Sequence, residues 1–181
     1  KLMEEVLTGE LVEEVGRFAR RTRELLAELV LDPDDSEKLP DADEIAATAW
    51  RTLQLPDVSA LRERLTPEWP IYALLEGGSK PRALAGRIDA IAYAGDRAEV
   101  VIDWKSDVDP SDADIRLHAC QLEDYLRATG AQRGALVYMT PGLVRWVGRT
   151  GCAAILRSGA GGSSALGPKR LSPERRGVRS L

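Results

Sequence analysis

The stretch from Gly86 to Asp107, GRIDAIAYAGDRAEVVIDWKSD, sets charged residues inside two apolar runs: Asp89 in the first, then Asp103 and Lys105 in the second. Charged side chains on strands are costly unless they are paired, hydrated or bound to a metal. Strand side chains alternate between faces, so Asp103 and Lys105 point one way and Trp104 the other. A tight turn around Gly95 and Asp96 would fold the two runs into a hairpin, whose twist can bring Asp89 toward Asp103. Two adjacent carboxylates repel unless a cation lies between them. Hard oxygen donors with no thiolate favour magnesium or manganese. A lysine beside such a cation can orient a water or offset charge on a phosphorane-like transition state. Together these parts suffice for phosphodiester hydrolysis. The same three residues also spell an ordinary hairpin ion pair, so the surroundings have to decide.

A second constellation follows on a helix. DVDPSDADIRLHACQLEDYLRATG carries a capping-box start at Ser111 and Asp114 and a stop at Gly130. On that helix Gln121 and Tyr125 lie one turn apart, with His118 beside them. Ile115, Ala119, Leu122 and Leu126 form the neighbouring apolar stripe, so the polar trio borders the buried face. His118 alone reads as a hydrogen-bonded surface histidine.

Other elements must hold these residues. KLMEEVLTGELVEEVGRFARRTRELLAELV has helical periodicity weakened at Gly9 and Gly16, which allows one break. DPDDSEKLPD is a polar loop, DADEIAATAWRTLQ a second helix and DVSALRERL a short third one. From Pro67 the texture changes to strands: EWPIYALL, RALAGRIDAIAYAG and AEVVIDWK. After the helix comes a fourth strand, GALVYMT, and LVRWVG is a short strand or a helical turn. The expected organisation is a helical part over 1–66, an α/β (α+β) core over 67–157 with a mixed sheet of about four strands, and a disordered basic tail over 158–181.

Composition narrows the class. The 181 residues carry a net charge of −4, yet Lys169 to Leu181 alone carries +4, leaving −8 on residues 1–168. A body that acidic is a poor autonomous phosphate binder, so a DNA substrate would have to be delivered to it. No apolar run reaches the roughly 20 residues of a membrane span. Cys120 and Cys152 form neither a CxxC pair nor a cluster, so they read as reduced thiols in a cytoplasmic protein, and no iron–sulfur cluster is expected from this chain. There is no GxxxxGK[ST] motif, so helicase or ATPase activity would belong to a parent protein only. The start at Lys1 reads as a piece of a longer chain.

G-R-I-D, then V-I-D-W-K-S, then Q-L-E-D-Y at these spacings resembles the nuclease domain of the RecB and AddA helicase–nucleases, within the PD-(D/E)xK superfamily. The resemblance runs from about Glu68 to Thr140. It implies a restriction-endonuclease-like core and a magnesium- or manganese-dependent deoxyribonuclease. Metal would be held by Asp89, Asp103 and the Trp104 carbonyl, with Lys105 as catalytic lysine. Gln121 and Tyr125 would be the signature pair that contacts nucleic acid, and Glu68 resembles the acid that opens the first strand. Single strands of DNA would arrive from a helicase motor in the same parent chain, with a second helicase–nuclease subunit as partner, in double-strand-break repair. The family's histidine ligand would fall just before Lys1, ahead of K-L-M-E-E-V-L. A catalytically silent, DNA-guiding descendant and a stand-alone nuclease are the competing readings.

Overall fold

Near-continuous apolar runs in the middle of the chain build a sheet that is buried on both faces. A computed structural model describes residues 1–29, 41–76 and 80–149. Its helices are α1 (Leu2–Leu7), α2 (Val15–Leu29), α3 (Ala42–Leu53), α4 (Pro56–Ser59) and α5 (Asp112–Thr129). Its strands are β1 (Leu65–Leu75), β2 (Arg82–Ala94), β3 (Arg97–Lys105), β4 (Arg133–Tyr138) and β5 (Leu143–Gly148). The expected tail over 158–181 and most of the expected loop DPDDSEKLPD lie outside the described residues.

The sheet order is β1-β2-β3-β4-β5, antiparallel throughout except for β3 and β4. That parallel pair needs a crossover, and α5 supplies it. The sheet has five strands rather than about four. The fifth is LVRWVG, which pairs from Leu143 against Tyr138 to Gly148 against Arg133, and backbone pairing along β4 settles its strand form.

Helix α5 begins as its sequence dictates. Ser111 and Asp114 exchange both capping-box bonds, and Gly130 closes the helix in the left-handed conformation at φ 76°. Its apolar stripe, with Ala119, Leu122 and Leu126, packs on Ile88, Ile91, Val101 and Leu136 of the sheet. Gly134 permits this close approach, because a Cβ there would lie 2.7 Å from Leu122 Cγ.

The opposite face carries Ala90, Ala92, Val100, Ile102 and Val137, covered by Val58 of α4 and by Leu61 and Leu65. Helices α1 to α3 form a small core of their own around Phe18 and Leu53, where Phe18 meets Trp50 edge to face at 5.5 Å. Trp104 packs against both of these clusters, so its indole ties the helical layer to the strand that carries Asp103 and Lys105. The break in the first helical segment falls at Thr8–Glu14, and Gly16 lies inside α2. Glu5 of α1 is buried against Arg21 of α2 in a two-pronged ion pair at 2.7 and 2.8 Å, and the guanidinium holds the Glu5 carboxyl below its ordinary range.

Cys120 is disulfide-bonded, which corrects the expectation of a reduced thiol. Sequence spacing carries no sign of which cysteines meet in space. Cys152, the other cysteine of the chain, lies outside the described residues. No helix among the described residues is long and apolar enough to cross a membrane.

Candidate active site

Strand β2 changes character at Asp89. Ile88 and Ile91 both pack toward α5, whereas Ala90 and Ala92 pack on the other face. Strict alternation is therefore broken near Asp89, while the register against β1 runs through unchanged. Pairing between β2 and β3 begins only at Ala90 with Ile102. Where the ladder stops, the Asp89 carboxylate takes over: its Oδ2 accepts the Trp104 backbone N–H at 2.8 Å.

This bond also orients the Trp104 carbonyl. The N–H and C=O of one strand residue face the same edge, and those of the next residue face the other. The Lys105 carbonyl accepts the Met139 N–H at 2.8 Å on the β4 side. The Trp104 carbonyl therefore faces the β2 side, toward Asp89.

Asp103 is 7% exposed and lies on the α5 face beside Asp89. Lys105 Nζ stands 2.9 Å from Asp103 Oδ2. The approach is an ion pair by distance but lacks hydrogen-bond geometry, so Oδ2 is buried with no hydrogen-bond donor. Burial is the main force on Asp89, whose pKa is pushed up to about 6; the Trp104 N–H opposes this, and the Asp103 carboxylate adds to it. Two carboxylates held together, one already drawing the Lys105 nitrogen and one reluctant to ionise, form the arrangement that a hard divalent cation would relieve. The donors present for it are those two carboxylates and the Trp104 carbonyl. Among the described residues no group of three or more His, Cys, Asp or Glu side chains comes together to hold a metal.

The remaining expected residues are placed as follows. Pro67 pairs with Ala90 and Trp69 with Ile88, so Glu68 falls opposite Asp89. Glu68 has φ 54°, the left-handed region that costs a non-glycine residue about 1–2 kcal/mol, and its carboxylate is turned to Arg87 at 2.8 Å. Gln121 Nε2 donates to the Tyr125 hydroxyl at 3.4 Å, and Gln121 is exposed. Both line a groove against Arg82, Leu84 and Ala85 of β2, with the Tyr125 hydroxyl beside Gly86. They stand together on one flank of β2, with Gly86 three residues along that strand from Asp89.

His118 is hydrogen-bonded, as its boundary position implies, but to a buried partner: its Nδ1 lies 3.1 Å from the Tyr138 hydroxyl. Sequence reasoning gave Tyr138 no part here. The available signal was a phenol inside the otherwise apolar strand GALVY, since a buried hydroxyl requires a partner.

A profile of the PD-(D/E)XK nuclease superfamily matches residues 1–151. The chain belongs to that superfamily. Its members are usually nucleases and typically use divalent metals such as Mg2+. The solved structure titled "Crystal structure of SSO0001" is 22% identical, with a TM-score of 0.42 over 88% of this chain and 82% of that one. No curated protein matches the chain.

Proposed function

We propose that this chain is the Mg2+-dependent DNA nuclease module of a RecB- or AddA-type superfamily 1 helicase–nuclease, acting in double-strand-break repair and recombination. The observation that carries the reading is the Asp89 carboxylate on the Trp104 amide, beside the Asp103–Lys105 pair. In this reading Asp89, Asp103 and the Trp104 carbonyl hold the cation. The cation supplies Lewis acidity toward the phosphate and lowers the pKa of water. Lys105 holds the attacking water or the charge developing on the phosphoryl oxygens. Gln121 and Tyr125 position the strand through hydrogen bonds from an amide and a phenol hydroxyl. Glu68 opposes Asp89 across the β1–β2 pair and restrains Arg87.

The acidic body fits single strands delivered by a motor in the parent chain, with a second subunit alongside. A DNA substrate puts the protein in the cytoplasm, where the Cys120 disulfide would have to survive reducing thiols.

The test uses the protein that carries this chain, end-labelled single- and double-stranded DNA, and magnesium or EDTA. Cleavage should require magnesium and vanish in Asp103→Ala, while ATP hydrolysis and unwinding persist. Cleavage that survives Asp103→Ala overturns the assignment. A wild type with no cleavage supports the DNA-guiding, catalytically silent descendant instead.

A further inference from the structure

Tyr138 ends β4 in parallel register with Lys105 and is fully buried. Burial pushes its hydroxyl pKa up to about 12, so it is a neutral phenol with a proton to donate. His118 Nδ1 lies 3.1 Å from it on α5, and a phenol that gives its proton there makes Nδ1 the acceptor. An imidazole that accepts at Nδ1 carries its own proton on Nε2. Burial, and then the Lys105 ammonium from β3, hold His118 below its ordinary pKa, against Asp107 from the following loop and Asp114 from its own helix. Asp114 is committed to the capping box with Ser111. His118 Nε2 has no hydrogen-bond partner among the described residues. In that tautomer Nε2–H has no acceptor among the described residues and, on the lysine's side of the site, suits an anionic oxygen.

We propose that His118 is a further substrate-contacting residue, oriented by Tyr138 so that Nε2–H donates to a non-bridging phosphate oxygen of the DNA strand held at Lys105. The inference rests on the nuclease reading for its substrate. It differs from a purely structural clasp between α5 and β4, and two isosteric changes separate the two roles. In His118→Asn the amide lies where Nδ1 was, keeping the Tyr138 contact and losing the outward donor. In His118→Gln the amide reaches the Nε2 position, keeping that donor and losing Tyr138.

Three readouts are taken on wild type and both variants: cleavage as kcat and KM, affinity for a single-stranded oligonucleotide in EDTA by fluorescence anisotropy, and Tm. His118→Asn should keep the wild-type Tm and lose about ten- to a hundredfold in kcat/KM, the range for a lost hydrogen bond to a charged group. His118→Gln should lose Tm and keep most of its cleavage rate. The reverse order, with Asn active and Gln impaired, overturns the proposal in favour of the clasp. If wild type fails to cleave, the nuclease reading fails, and oligonucleotide affinity in EDTA still decides His118: weakening in Asn alone supports the contact, and unchanged affinity in both variants refutes it.

Discussion

Asp89→Asn should make the folded chain more stable at neutral pH while removing its capacity for metal. Asp89 is pushed from the ordinary 3.8 to about 6 by burial and by Asp103. A carboxyl whose folded pKa is raised binds its proton more tightly in the native state. Its contribution to stability is therefore fully present below about pH 3.8 and is lost as the pH rises through about 6. That rise, from 3.8 to about 6, corresponds to about 3 kcal/mol. Asp89 is only half-buried, so solvent screening reduces that to about 1–2 kcal/mol. Asparagine is never charged, and its Oδ1 can still accept the Trp104 N–H that Asp89 accepts at 2.8 Å. Its Nδ2 adds a donor beside the neighbouring Asp103 carboxylate.

The assay is urea unfolding of wild type and Asp89→Asn at pH 7.5 and pH 4, with and without magnesium. At pH 7.5 without metal, Asp89→Asn should be more stable by about 1–2 kcal/mol, and most of this difference should vanish at pH 4. Magnesium at ten times its Kd should stabilise wild type by about 1.4 kcal/mol and leave the variant nearly unchanged. A variant destabilised equally at both pH values would refute the electrostatic account of Asp89.

Three other outcomes follow from the same geometry. Lys105→Ala should abolish DNA cleavage but keep magnesium-dependent stabilisation in thermal unfolding, because an ammonium is not a ligand; full cleavage would remove Lys105 from the chemistry. Gln121→Ala and Tyr125→Phe should each lower cleavage by roughly one to three orders of magnitude with Tm unchanged, and wild-type rates would make their flank of α5 scaffold only. Gly134→Ala should lower stability by about 1–3 kcal/mol in urea unfolding, because its Cβ would meet Leu122 Cγ at 2.7 Å; an unchanged midpoint would mean that α5 shifts freely on β4.

Much of the scaffold was legible because it rests on local rules. The Ser111–Asp114 box and Gly130 delimit α5, and apolar runs on either side of the Gly95–Asp96 turn delimit β2 and β3. LVRWVG was ambiguous because six residues with a single buried position, Val147, carry too little periodicity. At the site, the sequence placed Asp103 and Lys105 on one face by alternation alone. It could not say how Asp89 reaches them, because that depends on a break in alternation which only three-dimensional packing exposes. The sequence puts Gln121 and Tyr125 at the border of the buried face of α5; that they stand beside Gly86 and Arg82 of β2 depends on how α5 packs over Gly134, which its own sequence does not carry.

The break at Asp89 is where folding and the proposed function pull apart. A regular hairpin would continue the β2–β3 ladder past Ala90 and give the Trp104 N–H a backbone partner. The chain instead ends the ladder there, assigns that N–H to a side-chain carboxylate, and sets Glu68 opposite in a conformation unfavourable for a non-glycine residue. The Glu68 conformation and the buried Asp89 carboxyl lower stability locally, and the surrounding core of Ile88, Ile91, Val101 and Leu136 holds them in place. The departures converge on one spot: two carboxylates, a lysine and a carbonyl at the end of a splayed strand pair. A salt bridge needs none of them, because Asp103 and Lys105 already share a face on β3. What the distortion adds is the second carboxylate, and a second carboxylate raises the cost of the apo state unless a cation joins it.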